Sequence, residues 1–170
     1  GETADTLAAL AMESRRRKDH ADPSFSSRQL GISNRLESSI SRQVPNILDI
    51  GAGIEVGVAA TKSFTSQLAI LYKITNNLCN TCMNLDWKKV SDSISKILSD
   101  NSKIRELAKE LKDVSDIYVL GRGIHFPIAK EAALKLKELT YIHAEGIPAG
   151  ELKHGPLALM DSNVYVLIIN

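Results

Sequence analysis

The sequence contains no apolar run near the roughly 18 residues a bilayer-spanning helix requires. Nothing at its start reads as a secretory leader. Neither a membrane partner nor secretion is therefore expected. Cysteine is scarce: Cys79 and Cys82, spaced C-x-x-C, are the only two. No second pair exists to complete a four-ligand zinc site. A redox motif of this spacing sits where a strand meets a helix, whereas this pair ends a helical pattern. No metal and no cofactor are expected, and the expected compartment is a reducing cytoplasm. An excess of charge is missing too. The 21 Lys and Arg against 20 Asp and Glu leave a net charge of +1, so no global field favours nucleic acid. The local run Arg15-Arg16-Arg17-Lys18 reads as a solvated helix end. The chain opens on Gly1 rather than Met and closes on a strand-like run, so both termini are expected to be cuts.

What is present suits a folded domain. The 170 residues are 44% hydrophobic, enough for one core or pieces of two. Residues 3–10 read as the start of a helix, with Thr3 and nearby acids suited to its N-terminus. Residues 13–30, charged, Ser-rich and carrying Pro23, read as a loop. Short strands are expected near 30–33 and 47–50, followed by a tight turn at Gly51-Ala52-Gly53. Phe64, Leu68, Leu71 and Leu78 share one face of a helix over 59–78. Amphipathic helices are expected at 87–98 and 102–111. An apolar strand at 116–120 then leads through Gly121-Arg122-Gly123 into a helix from Pro127 to about Tyr141. Residues 146–150 read as a loop, 156–160 as a short helix and 164–169 as a buried strand. Apolar strands separated by helices imply an α/β fold with a mostly parallel sheet. In such folds the turn after a strand's carboxyl end is the usual ligand position.

The densest chemistry lies between Glu131 and His154. Glu131, Lys135 and Glu138, spaced four and three apart, share one helical stripe. That pattern fits an exposed ion-pair ladder as well as an acid/base site. The following stretch adds His143, Glu145, Glu151, Lys153 and His154 among glycines. A carboxylate and an imidazole flanking one substrate can divide proton removal and donation. A nearby ammonium favours an enediolate as it forms. This suits aldose–ketose isomerisation and other acid/base chemistry alike. His143 and His154 lack the helical i,i+4 spacing of a zinc pair. Gly1-Glu2-Thr3, at a helix start, fits either a phosphate site or simple capping.

Three blocks, GETADTLAAL, GAGIEVGVAATKSFTSQLAIL and GRGIHFPIAKEAALKLKELTYIHAEGIPAGELKHGPLAL, resemble the isomerase half of the glutamine–fructose-6-phosphate aminotransferase family in order and spacing. The resemblance implies parts of two sugar-isomerase (SIS) domains, each a parallel sheet flanked by helices, with 1–85 in the first and 86–170 in the second. It implies that Glu138 moves a proton between sugar carbons 1 and 2 and that Lys135 assists. It implies that His154 helps open the sugar ring in a neighbouring subunit, hence a homodimer. Thr3 matches a hydroxyl at the phosphate site, Val58 and Ala60 a segment whose backbone touches the sugar, and Glu55 a buried polar group beside it. The implied ligands are fructose 6-phosphate and glucosamine 6-phosphate. Residues 11–30 depart from the family pattern, and Gly51 stands where the family usually has Asn. Two alternatives are a non-catalytic sugar-phosphate-binding SIS regulatory domain and a sugar-phosphate deglycase or deaminase.

Overall fold

The computed structural model describes residues 4–20, 22, 24, 29–79 and 85–170. Thr3 and Cys82 lie outside them. The chain divides into two compact units, 1–84 and 85–170.

The first unit opens with α1 (Ala4–Lys18). This helix runs through residues 13–18, where a loop was expected. Glu13 meets Arg16 at 2.8 Å and Arg17 at 2.7 Å across one turn. The basic residues behind it sit at the helix's negative C-terminal end. These local pairings offset the lack of an apolar face. Two short strands, β1 (Leu30–Ser33) and β2 (Asn46–Asp49), pair in parallel from Leu30 opposite Asn46 to Ser33 opposite Asp49. Between them stands α2 (Ser39–Gln43), which the sequence reading passed over for want of apolar periodicity. Its start is fixed by the Ser38 hydroxyl, which accepts from the Ser41 N–H at 3.3 Å.

Beyond β2 the chain makes the expected turn, with Gly51 and Gly53 at φ of +63° and +67°, where a side chain would be strained. Asn34, just after β1, pins this turn. Its amide donates to the Gly53 carbonyl at 2.6 Å and accepts from the Ala52 N–H at 3.0 Å. The unit ends with α3 (Lys62–Leu78), which starts three residues later than expected. Cys79, next in the chain, is disulfide-bonded, where the sequence reading gave the pair no role.

The second unit carries α4 (Trp87–Ser99), α5 (Ser102–Leu111), β3 (Asp116–Gly121), α6 (His125–Thr140), β4 (His143–Pro148) and β5 (Val164–Ile169). The Asp86 carboxylate caps α4, accepting from the N–H groups of Lys88 and Lys89, each at 3.1 Å. The sheet is parallel throughout, in the order β4-β3-β5. β4 corrects the sequence reading, which placed much of it in a loop. HAEGIP offers no run of apolar residues, yet Ala144 and Ile147 are buried and its backbone pairs along the whole of β3.

Small residues bring α6 close to this sheet. Ala129 and Ala133, one turn apart on α6, are buried against Ile117, Val119 and Ala144. A Cβ on Gly146 would stand 2.6 Å from the Lys130 Cα, so β4 must have glycine there. At the other end, a Cβ on Gly121 would stand 2.3 Å from the His125 carbonyl oxygen, which enforces the tight passage from β3 into α6. The opposite face of the sheet buries Tyr118, Leu120 and Ile147. Tyr141, in the left-handed conformation at φ 60°, ends α6 and turns the chain into β4.

Among the described residues, no helix is long and apolar enough to cross a membrane, and no group of three or more His, Cys, Asp or Glu side chains is placed to hold a metal ion.

Candidate functional site

The residues singled out from the sequence fall into two neighbourhoods, one in each unit. In the second unit the helical stripe forms as expected. Lys135 Nζ donates to Glu138 Oε2 at 2.6 Å and stands 3.5 Å from Glu131 Oε1. By helical angle the three lie on the side of α6 away from Ala129 and Ala133, so the sheet leaves them accessible. They are not freely solvated: side-chain exposure is 20% for Lys135, 26% for Glu131 and 33% for Glu138. The hydrogen bond to Glu138 holds the Lys135 ammonium above the ordinary lysine range. Desolvation opposes this, and the charges of Glu138 and then Glu131 add to it. Lys135 is therefore a stable cation at neutral pH. It can offset an oxyanion but cannot act as a neutral base.

His154 stands apart from this pair. It lies exposed in the turn after β4, where its backbone N–H donates to the Glu151 carbonyl at 3.0 Å. No side-chain hydrogen bond or ion pair joins it to Lys135 or Glu138 among the described residues. His143 and Glu145, read as part of a ligand loop, belong instead to β4. His143 Nδ1 meets Asp116 Oδ1 at 2.8 Å across the starts of two paired strands. The Ser115 hydroxyl and then His143 hold the Asp116 carboxyl below its ordinary range. In a parallel α/β sheet this is the end opposite the usual ligand position.

In the first unit, Glu55 lines an open cavity of about 620 Å³ together with Ile32, Ser33, Asn34, Ser63 and Gln67. It was expected to be buried and is instead half-buried, because α3 uses it. Its carboxylate accepts from the Thr61 N–H at 2.8 Å and from the Ser63 hydroxyl, both at the start of the helix. The Ser63 hydrogen bond, followed by the Thr61 N–H, pulls its pKa from 4.5 down to about 2. Negative charge at a helix N-terminus is favourable, so part of this residue's role is to fix where α3 begins. Ser63 and Gln67 were missed because they read simply as polar positions on α3. The bond from Ser63 back to Glu55 spans eight residues, and no periodicity encodes it.

Val58 and Ala60 flank the buried Ala59 and are themselves exposed, Val58 at 98%. Their side chains line no described cavity. The structure thus brings Lys135, Glu138 and Glu131 together and places Glu55 in a cavity wall; among the described residues it joins no polar side chain to His154, and Val58 and Ala60 stand exposed.

Parallel strands flanked by a close-packed helix define the class of fold. Residues 110–170 match the model of the SIS domain. The particular family follows from the whole chain. It is 48% identical over 180 residues to a glutamine–fructose-6-phosphate aminotransferase [isomerizing] of Thermosynechococcus vestitus, covering 99% of this chain and 29% of that protein. A protein of the same name from Methanothermobacter thermautotrophicus is 45% identical over 170 residues, covering 100% of this chain and 27% of that one. Among solved structures, the C-terminal domain of glucosamine-fructose-6-phosphate aminotransferase from Francisella tularensis superposes with a TM-score of 0.76 at 38% identity, covering 98% of this chain and 48% of that one. The chain aligns along nearly its whole length with one segment of these aminotransferases. It spans 27–29% of the length of these two curated relatives.

Proposed function

We propose that this chain is part of the isomerase half of an enzyme that makes glucosamine 6-phosphate from fructose 6-phosphate and ammonia released from glutamine. The observation that carries the reading is the 2.6 Å contact between Lys135 and Glu138, in a chain that aligns with these aminotransferases over 99% of its length. Residues 1–85 and 86–170 are read as parts of two SIS domains.

Glu138 is the base that moves a proton between sugar carbons 1 and 2. Lys135 offsets the negative charge that grows on the substrate oxygen as the proton leaves. His154, free of polar side-chain partners within its own unit, opens the sugar ring in the partner subunit of a homodimer. Thr3 holds the phosphate, and the backbone at Val58 and Ala60 lies along the sugar. Glu55 is the polar group of the cavity wall. The enzyme works in the cytoplasm, without metal or cofactor.

The test is turnover of fructose 6-phosphate and glutamine by the full-length polypeptide that carries this chain. Glu138→Gln removes the base without changing its shape. It is expected to lower kcat by about a hundredfold or more while leaving substrate binding intact. Full turnover by this variant would remove Glu138 from the role.

A further inference from the structure

Glu131 is the member of the α6 stripe to which the reaction above gives no part. Its side chain is three-quarters covered, and its carboxylate stands 3.5 Å from the Lys135 ammonium, against 2.6 Å for Glu138. A base hydrogen-bonded to a lysine has part of its lone-pair capacity already engaged. It must loosen that bond to reach a carbon-bound proton. The loosened ammonium then needs another counter-ion, or the step carries the cost of a stranded charge in a partly covered site. Glu131 stands one turn earlier on the same rigid helix, within reach of small side-chain torsions of Lys135.

We propose that Glu131 is a positioning residue: it forms a second seat for the Lys135 ammonium and takes over that charge when Glu138 becomes neutral. The proposal rests on reading Glu138 as the base. In the step, the Glu138 carboxylate takes a proton from one sugar carbon. The electron pair of the broken C–H bond enters the enediolate, whose oxygen carries the negative charge. Glu138, now a neutral acid, attracts Lys135 less strongly, and the ammonium moves toward Glu131 and the substrate oxygen. Return of the proton to the neighbouring carbon restores the Glu138 carboxylate and its contact with Lys135. Glu131 never exchanges a proton with substrate. It keeps the lysine charged and oriented through the cycle. Among the described residues, Glu138 and Glu131 are the only charged groups that act on Lys135.

Glu138→Gln imitates the neutral base, so the hand-over can be read without turnover. Nitrogen-15 NMR of the Lys135 ammonium in the full-length polypeptide gives its titration midpoint in each variant, with circular dichroism as a check on folding. The midpoint is expected to fall in Glu138→Gln, because the hydrogen bond to Glu138 is the largest cause of its elevation. It should fall further when Glu131→Gln is added, because desolvation then acts on Lys135 unopposed. If Glu138→Gln alone gives the same midpoint as the double variant, Glu131 does not take over the charge. In the full-length enzyme, Glu131→Gln should lower kcat by on the order of tenfold to a hundredfold with KM unchanged, as expected for a misplaced catalytic group. Glu131→Asp should recover part of the loss. An unchanged kcat in Glu131→Gln would overturn the proposal. Should Glu138→Gln itself retain full turnover, the assignment of the base fails first, whatever the NMR shows.

Discussion

The two parallel sheets of this chain differ sharply in what they bury. In β4-β3-β5, Ile117 and Val119 are 1% exposed, and Ala144 on β4 and Ala129 on the covering α6 are fully buried. The β1–β2 pair leaves Leu30 and Leu48 exposed, and Ile50 and Ala59 are the buried hydrophobics of its unit among the described residues. Both sheets use the same backbone pairing. What separates them is cover, since a parallel strand is dehydrated only when something packs on its faces. In the second unit α6 is drawn in by alanine and glycine and closes one face. In the first, α2 is short, and polar pins such as Asn34 do much of the fixing. The Glu131, Lys135 and Glu138 stripe lies on the better-packed element, where a helix held by a core keeps its side chains within small displacements. The cavity with Glu55 lies on the element held mainly by hydrogen bonds.

This contrast can be tested by substitution, starting with the largest effect. Ile117→Ala removes a fully buried side chain and should cost about 3 kcal/mol in denaturant unfolding. Ile47→Ala in β2 should cost less than about 1.5 kcal/mol, because Ile47 is only half-buried. Equal losses would erase the distinction between the sheets. Next, Gly146→Ala places a methyl against the backbone of Lys130 and should cost about 2 kcal/mol, with loss of hydrogen-exchange protection in α6 and β4. An unchanged exchange pattern would mean that α6 is not seated as closely as the distances imply.

A smaller effect concerns Glu55. Its carboxyl is depressed from 4.5 to about 2. A depressed carboxylate stabilises the fold above its unfolded pKa, and that contribution is lost as pH falls through the folded value. The start of α3 should therefore be protected above about pH 4.5 and loosen progressively toward pH 2. Glu55→Gln should abolish this dependence in amide exchange at residues 61–65. A variant with the same acid sensitivity would show that another group sets it. The smallest effect is expected at the exposed His143–Asp116 pair. Its loss in His143→Ala should barely move the melting temperature, as is usual for surface pairs.

Much of this fold was legible in the sequence. Phe64, Leu68 and Leu71 gave α3 through their spacing, and the apolar runs at 116–120 and 164–169 gave β3 and β5. Three elements were not. β4 reads HAEGIP, and its signal is smallness at Ala144 and Gly146, which becomes meaningful only when α6 lies against it. The second half of α1 is stabilised by charge pairing rather than by an apolar face. α2 is too short to show a period. At the site, the residues that share a helix, Glu131, Lys135 and Glu138, were legible because helical spacing is short-range information. The Glu55–Ser63 bond and the His143–Asp116 pair depend on how loops and strands return in space, which spacing does not encode.

The most direct test of the account follows hydrogen rather than product. In heavy water, full-length enzyme supplied with fructose 6-phosphate should wash solvent deuterium into carbon 1 or 2, as the proposed role of Glu138 requires when its captured proton exchanges before returning. Glu138→Gln should still bind the sugar phosphate and leave both carbons unlabelled. Labelling at the unmodified rate in that variant would contradict the assignment of Glu138 as the base.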